Sequence, residues 1–405
     1  MSGSEPRRLD FRLLAGAIGL SALGDFLALI PLALHLEETT GSGILVALLF
    51  VAIWSPAILL AGPAGLLADR LDTRRLLLGV SLGQAAVSVA LAFVGGVVPV
   101  LALALLLGAG FALAQPAEFA LIPAIVGARR IEAANGQIET ARYFGFTLGP
   151  LAGGVLAATG GMRLAMLVNA ATFLAVAGVA AVVRARPRVV EPKEPDSAPE
   201  RARDGAVFLV REPTLAVVMV VAFVSLLFMT ASAAAEVFFA KDFLDAGDAG
   251  YGALIAAWTL GMTLGALVVA RRVAVQALAT AALVAIVVQG AGLALPTLWL
   301  VFSFATAAYF VGGLAHGTKN VLVRSLIHRR VPERLHGRAF AAYNALRNGA
   351  ELVALLGGGL LVAAIGARWT LGLSGGIPML AVLFAIAIAW RRLAEPARVP
   401  APPAL

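Results

Sequence analysis

Apolar runs of roughly 20 residues or more recur along the chain, separated by short polar breaks. They lie near 11–35, 43–67, 75–95, 99–126, 136–158, 163–184, 213–240, 249–270, 274–295, 297–327, 338–365 and 369–391. A helix rises about 1.5 Å per residue, so a run of this length crosses the hydrocarbon layer of a bilayer. The breaks carry turn chemistry: Glu37 to Gly43, Gly95-Gly96, Gly160-Gly161, Asp245 to Gly250 and Gly366-Ala367. The pattern predicts an all-α membrane protein with twelve transmembrane helices, referred to here as spans 1 to 12.

Composition narrows the class. The chain is 60% hydrophobic and 13% charged, with a mean hydropathy of +0.93. A soluble chain of 405 residues cannot hide that much apolar surface in a core, so lipid is the expected solvent. A formal charge of +8 might point to nucleic acid. The basic residues, however, sit in short loops between apolar runs and form no patch on a polar domain, so no nucleic-acid partner is expected. There is no cysteine, hence no disulfide framework and no thiolate metal site. Arg7 and Arg8 precede a first apolar run that is longer than a signal-peptide core and has no evident cleavage site, so it is read as a retained helix.

Charge placement sets an orientation. With the N-terminus inside, most of the 31 Lys and Arg residues fall in cytoplasmic segments, and only Arg163, Lys241 and Arg368 fall in outside loops. Both termini are therefore expected in the cytoplasm, across a bacterial-type inner membrane. The one long polar stretch, within 185–212, holds Pro187, Pro192, Pro195 and Pro199 among mixed charges and reads as a flexible tether. It separates an N-terminal six-helix bundle (1–184) from a C-terminal one (213–405). A single shift of the chain lays Arg142 over Arg347 and Gly154 over Gly359, a faint internal repeat. Two pseudo-symmetric bundles with a site at the midplane between them is the plan of secondary transporters.

Two motifs sharpen this. After span 2 stands Gly65-Leu-Leu-Ala-Asp69-Arg70-Leu-Asp72-Thr73-Arg74-Arg75. It resembles the loop 2–3 signature of the major facilitator superfamily, G-x3-D-R-x-G-R-R, with Asp72 and Thr73 where the second glycine would be. In that family the segment is a cytoplasmic latch, and the resemblance carries that role to Gly65, Asp69, Arg70 and Arg74. The second-half counterpart, Ala270-Arg271-Arg272, is degenerate, so the latch is expected to be asymmetric. Span 5 carries Gly136-x8-Gly145-x3-Gly149-Pro150-x2-Gly153-Gly154. Glycines every four residues line one helical face and let another helix pack at backbone distance, while Pro150 adds a bend. This order matches the helix 5 signature of facilitator subfamilies that act as drug–proton antiporters.

Pro116-Ala-Glu118-Phe-Ala-Leu-Ile-Pro123, Ala134-Asn135-Gly136 and Val331-Pro-Glu-Arg-Leu-His-Gly-Arg338 resemble the subgroup containing the enterobactin exporter and macrolide-efflux proteins. Span 4 departs from many drug–proton antiporters in lacking a membrane-embedded arginine; its polar residues are Gln115 and Glu118.

An ionisable side chain at membrane depth costs at least ~2.5 kcal/mol on insertion scales, so each needs a partner, an aqueous cavity or a task. Asp25, near the middle of span 1, is the leading candidate to take and release protons. Glu351 and Arg347, four apart on span 11, share a face and form a second candidate for proton handling or a static pair. Glu118, Glu139 and Arg142 are assigned to the cytoplasmic gate, in a network with the loop 2–3 arginines. Lys319, Asn320 and Asn348 are candidates for a substrate cavity, together with the aromatics Phe26, Trp54, Phe111, Trp258 and Tyr309.

The expected function is outward, proton-coupled movement of an amphipathic small molecule such as a drug, siderophore or natural product. Uptake, or facilitated flipping of a lipid-like solute, is the alternative. No HExxH pair, nucleophile elbow or Walker sequence occurs, and His35, His316, His328 and His336 are scattered, so neither an enzyme nor a cofactor or metal site is expected. A scaffold or receptor would be expected to carry a folded soluble domain. The expected partners are the small-molecule substrate, protons and lipid, with the protein acting as a monomer.

Overall fold

A chain surrounded by hydrocarbon must satisfy its backbone N–H and C=O groups internally, and the helix does so within one segment. Each element of the computed structural model is accordingly helical, with no strand among the described residues. It describes residues 8–393 apart from 61, 62, 65, 66, 68–70, 127–130, 184–206, 333 and 334. The order is α1 (Arg8–Thr40), α2 (Gly43–Leu59), α3 (Thr73–Phe93), α4 (Val97–Val126), α5 (Ile131–Val182), α6 (Pro213–Ala231), α7 (Ala233–Phe238), α8 (Gly247–Leu264), α9 (Leu278–Leu298), α10 (Phe302–Arg330) and α11 (His336–Leu393). Among the described residues, 8 helices are long and apolar enough to cross a membrane, and α2 is a shorter apolar helix.

α5 and α11, of 52 and 58 residues, exceed any single crossing. Each is broken at one glycine, Gly161 (φ 63°, ψ −172°) and Gly366 (φ 79°, ψ 164°). Only glycine enters that region without steric penalty, and both positions fall on breaks expected from the sequence. Spans 5 and 6 thus lie on either side of Gly161, and spans 11 and 12 on either side of Gly366. Other boundaries moved. Span 7 is interrupted at Ser232 and resumes as α7 and a π turn over Phe239–Phe243. Helix ends are fixed by side chains. Asp72 caps α3 by accepting from the amides of Arg74 and Arg75 (3.0 and 3.1 Å). Glu212 caps α6, with Pro213 in its first turn, as expected for these residue types.

The chain divides into two compact units. The first comprises Met1–Glu194, Ala233–Thr259 and Leu355–Ala367; the second comprises Pro195–Ser232, Leu260–Ala354 and Arg368–Leu405. In the first, Leu14, Leu77, Leu121, Ile122, Ile138 and Val183 are buried in one cluster. The glycine face of α5 lies on α1: a Cβ at Gly145 would stand 2.6 Å from the Leu23 nitrogen, one at Gly149 2.7 Å from the Leu23 oxygen, and one at Gly153 2.6 Å from the Leu27 oxygen. Those distances exclude any side chain, so the helices meet backbone to backbone. The unit also holds two matching contacts. Gly154 packs on Gly252, where a Cβ would stand 3.0 Å from its Cα, and Gly359 packs on Ala47, where one would stand 2.6 Å from its Cβ.

In the second unit, Leu215, Val218, Leu283, Ile286, Leu322 and Ile327 form the buried cluster. Its seams are again glycines: Gly261 and Gly265 against the backbone at Phe310 and Leu314, and Gly292 against Gly312. Large apolar side chains are exposed on the outer surface, Val98 at 77% and Leu298 at 72%. Such a surface suits hydrocarbon and would be a liability in water.

Gly149→Ala should destabilise the protein by about 1–3 kcal/mol through overpacking against α1. Gly178→Ala, where a Cβ meets open space, should stay within roughly 0.5 kcal/mol. The thermal midpoints of the two detergent-solubilised variants check this.

Candidate functional site

Asp25 is carried by α1 between Leu23 and Leu27, where Gly145 and Gly149 of α5 hold that helix at backbone distance. Its carboxylate is half-buried and has no hydrogen bond or ion pair among the described residues. It faces a cleft of about 30 Å³ whose polar lining includes Gln84, Gln115, Glu118 and Arg142, with Phe111 and Phe146 beside them. That is room for a water molecule next to groups able to bind one.

Across the cleft, Arg142 Nη2 donates to Glu118 Oε2 at 2.6 Å, the two side chains being 10% and 9% exposed. In a low-dielectric site this charge-assisted bond is short and strong, and each partner is costly to leave alone. Asp25, Glu118 and Arg142 therefore make one ionisable cluster: a carboxylate with no hydrogen-bond or ion-pair partner among the described residues beside a closed ion pair. Phe111 and Phe146 line the cleft, and Phe26 and Trp54 contact those rings from outside its lining. Phe26 lies 4.7 Å from Phe146 and 6.2 Å from Trp54, centroid to centroid, and Trp54 lies 6.0 Å from Phe111. Phe26, Trp54 and Phe111 were expected at a cavity. Phe146 was not singled out, although it shares a helical turn with Arg142 and Gly145.

The loop 2–3 motif is described in part. Gly65, Asp69 and Arg70 lie outside the described residues, as does the side chain of Glu139. Arg74 donates Nε to the Ala180 carbonyl (3.2 Å) and Nη2 to that of Ala181 (2.7 Å). A guanidinium there satisfies the free carbonyls at the end of α5 and meets the negative pole of its dipole. Asp72, the departure from the family pattern, is the cap of α3. An Asp immediately before a helical run is a signal the sequence already carried.

In the second unit, a larger cavity of about 270 Å³ lies among α6, α10 and α11, with Lys319, Asn320 and Arg347 as its polar lining. Arg347 Nε donates to Glu351 Oε1 at 2.9 Å, one helical turn on. Lys319 is buried at 3% exposure. His316, one turn before it, sits between Gln289 Oε1 (3.3 Å from Nδ1) and Asn320 Nδ2 (2.9 Å from Nε2). Lys319, Asn320, Arg347 and Glu351 thus come together, while Asn348 and Trp258 are half-buried elsewhere and Tyr309 is fully buried.

A third cluster was missed. Lys241, on the π turn after α7, reaches Glu37 (2.8 Å) and Glu38 (2.9 Å) at the end of α1, and Asp248 (3.4 Å) at the start of α8. The sequence hint was that all four residues fall in breaks assigned to the outside. Burial pulls the ammonium's pKa down, but hydrogen bonds to Glu37 and Glu38, together with their charges, outweigh it and hold the pKa above the ordinary lysine range.

A half-buried carboxylate near the middle of an apolar helix, a closed ion pair beside it and glycine-packed helices around both suit a membrane transporter. The model of the Major Facilitator Superfamily matches residues 14–355. The chain belongs to that superfamily. Its members are transporters of small molecules, often coupled to ions, and not enzymes. An uncharacterized MFS-type transporter of Bacillus subtilis (strain 168), YfiS, is 25% identical over 364 residues, covering 86% of this chain and 85% of the relative. Among solved structures, the nucleoside transporter NupG superposes with a TM-score of 0.73 at 13% identity, over 94% of this chain and 98% of that one. The peptide transporter POT in complex with sulfate gives 0.71 at 17% identity, over 97% of each. A bacterial homolog of the human lysosomal transporter Spinster, inward-facing and unoccupied, gives 0.68 at 15% identity, over 97% and 94%. These likenesses establish the fold.

Glu118→Gln should remove the 2.6 Å charge-assisted bond to buried Arg142 and destabilise the protein by about 3–5 kcal/mol, whereas Glu118→Leu combined with Arg142→Met should recover much of that loss. Thermal midpoints in one detergent decide this. Because the Lys241 pKa is raised, its contribution to stability is fully present below the ordinary lysine pKa and is lost only as the pH climbs through the higher folded value. Lys241→Met should therefore lower the thermal midpoint equally at pH 6 and pH 9; a loss that shrinks by pH 9 would contradict the assignment.

Proposed function

We propose that this member of the superfamily exports an amphipathic small molecule against inward proton flow, by alternating access between two six-helix bundles. The observation that carries the reading is Asp25: a carboxylate on the first helix, without a partner among the described residues, in a polar cleft beside the Glu118–Arg142 pair. A carboxyl so placed can exchange a proton with the cleft, and the neighbouring pair can open when Asp25 changes charge. Direction rests on the Gly145, Gly149, Pro150, Gly153, Gly154 order in α5, which resembles that of drug–proton antiporters. Twelve crossings are supported by splitting α5 and α11 at their glycine breaks and counting α6 with α7 as one. The matched contacts of Gly154 with Gly252 and Gly359 with Ala47 are mates under the same shift that relates Arg142 to Arg347, which favours a repeat. Charge placement supports an inner-membrane protein with both termini cytoplasmic, which in this reading acts as a monomer.

In this scheme the arginines of the loop 2–3 motif hold the cytoplasmic side, and the Lys241 cluster holds the outer side. Asp25 and the Glu118–Arg142 pair lie between them and register the proton.

Asp25→Asn should abolish pH-gradient-driven transport while leaving expression and membrane insertion intact. The measurement is accumulation of a fluorescent lipophilic dye in everted vesicles with an acidified lumen. An unchanged gradient dependence in the variant would remove Asp25 from proton coupling. Wild-type vesicles that expel dye under the same gradient would make the protein an importer or flippase.

A further inference from the structure

We propose that the cavity among α6, α10 and α11 binds a lipophilic anion, an apolar body bearing one acidic group whose charge is received by Lys319 and Arg347. The proposal rests on the transport reading and names its substrate class.

The walls supply the apolar half. Met219, Phe223, Val323, Tyr343 and Leu346 surround about 270 Å³, near the lower end of the range for drug-sized ligands. The polar end supplies the charge. Lys319 is 3% exposed, and among the described residues no carboxylate lies within ion-pair distance of it. Among the described residues its one hydrogen-bond contact is His316 Nδ1 at 3.4 Å. That nitrogen has little to offer. Asn320 Nδ2 donates to His316 Nε2, so the ring proton sits on Nδ1 and points to Gln289 Oε1. With both amides flipped, Nδ1 could accept at most one of the three ammonium hydrogens. Either way a buried cation aims unspent donors into the cavity. Arg347 adds to this: Nε is committed to Glu351, and the Nη groups have no protein partner among the described residues.

Two cations therefore face one carboxylate, an imbalance that low dielectric makes costly and that a ligand anion would cancel. A lipophilic cation would be repelled, and a bare inorganic anion would leave the apolar walls unused. The fork of Arg347 and the point charge of Lys319 suit a carboxylate, sulfonate or phosphate. Such an acid could come from a lipid headgroup or from a free lipophilic acid.

The test uses two dyes with the same aromatic body: anilinonaphthalenesulfonate, an anion, and N-phenylnaphthylamine, which lacks the sulfonate. Saturable binding to the full-length protein in maltoside is read by fluorescence over empty micelles. Wild type should prefer the sulfonate by roughly tenfold or more. Lys319→Gln should remove that preference with the amine held within about twofold, and Lys319→Arg should keep it. Should Lys319→Gln fail to fold, Arg347→Gln carries the same expectation. Displacement of the sulfonate by decanoate identifies a free acid, and displacement by lysophosphatidylglycerol identifies a headgroup. Displacement by neither, equal binding of the two dyes to wild type, or an unchanged preference in the glutamine variant overturns the proposal. No gradient enters this measurement. A failed sulfonate preference therefore leaves proton-coupled export standing, and a failed Asp25→Asn test leaves the anion site standing.

Discussion

Backbone contact between helices is the constraint on which the rest of this structure depends. In lipid, leucine gains nothing by leaving one hydrocarbon surface for another, so helices associate through close van der Waals packing. Glycine makes that packing possible here. Gly145, Gly149 and Gly153 lay α5 on α1, and Gly261 and Gly265 bring α8 onto α10. Removing side chains from the seams lets the remaining side chains converge elsewhere. The α1–α5 seam places Asp25 within one cleft of Arg142, and α4 adds Glu118 from the facing side.

Charge is then distributed sparingly among these seams. Each ionisable group at depth is satisfied differently. Glu118 and Arg142 close on one another, Arg347 reaches Glu351 along its own helix, and Asp25 and Lys319 have no counter-charge within ion-pair distance among the described residues. Closed pairs hold shape. Groups without an opposite charge are where a proton or a ligand has something to gain by binding, and one acid and one base of this kind lie in different units.

Much of this was legible in the sequence for a definite reason. The length of an apolar run reports a membrane crossing directly, and the breaks at Gly160-Gly161 and Gly366-Ala367 were found because only glycine tolerates the backbone those reversals need. The glycine face of α5 was equally readable, since spacing alone puts Gly145, Gly149 and Gly153 in line. What spacing cannot report is which distant residues meet. Glu118 and Arg142, 24 apart in sequence, were expected at the gate with loop arginines; the pair lines the Asp25 cleft, and Arg74 spends its donors on helix-end carbonyls. Lys241 looked like an isolated loop residue, because its three acidic partners come from two other elements. Asp72 was noted only as a missing glycine, although its place before α3 marked it as a cap.

The two matched contacts near Gly154 and Gly359 are not twins. One brings glycine against glycine, while its mate brings glycine against Ala47. A single methyl group therefore separates the two contacts. One joint thus accommodates a methyl group, whereas at the other a Cβ added to Gly252 would stand 2.4 Å from the Pro150 oxygen and could not fit.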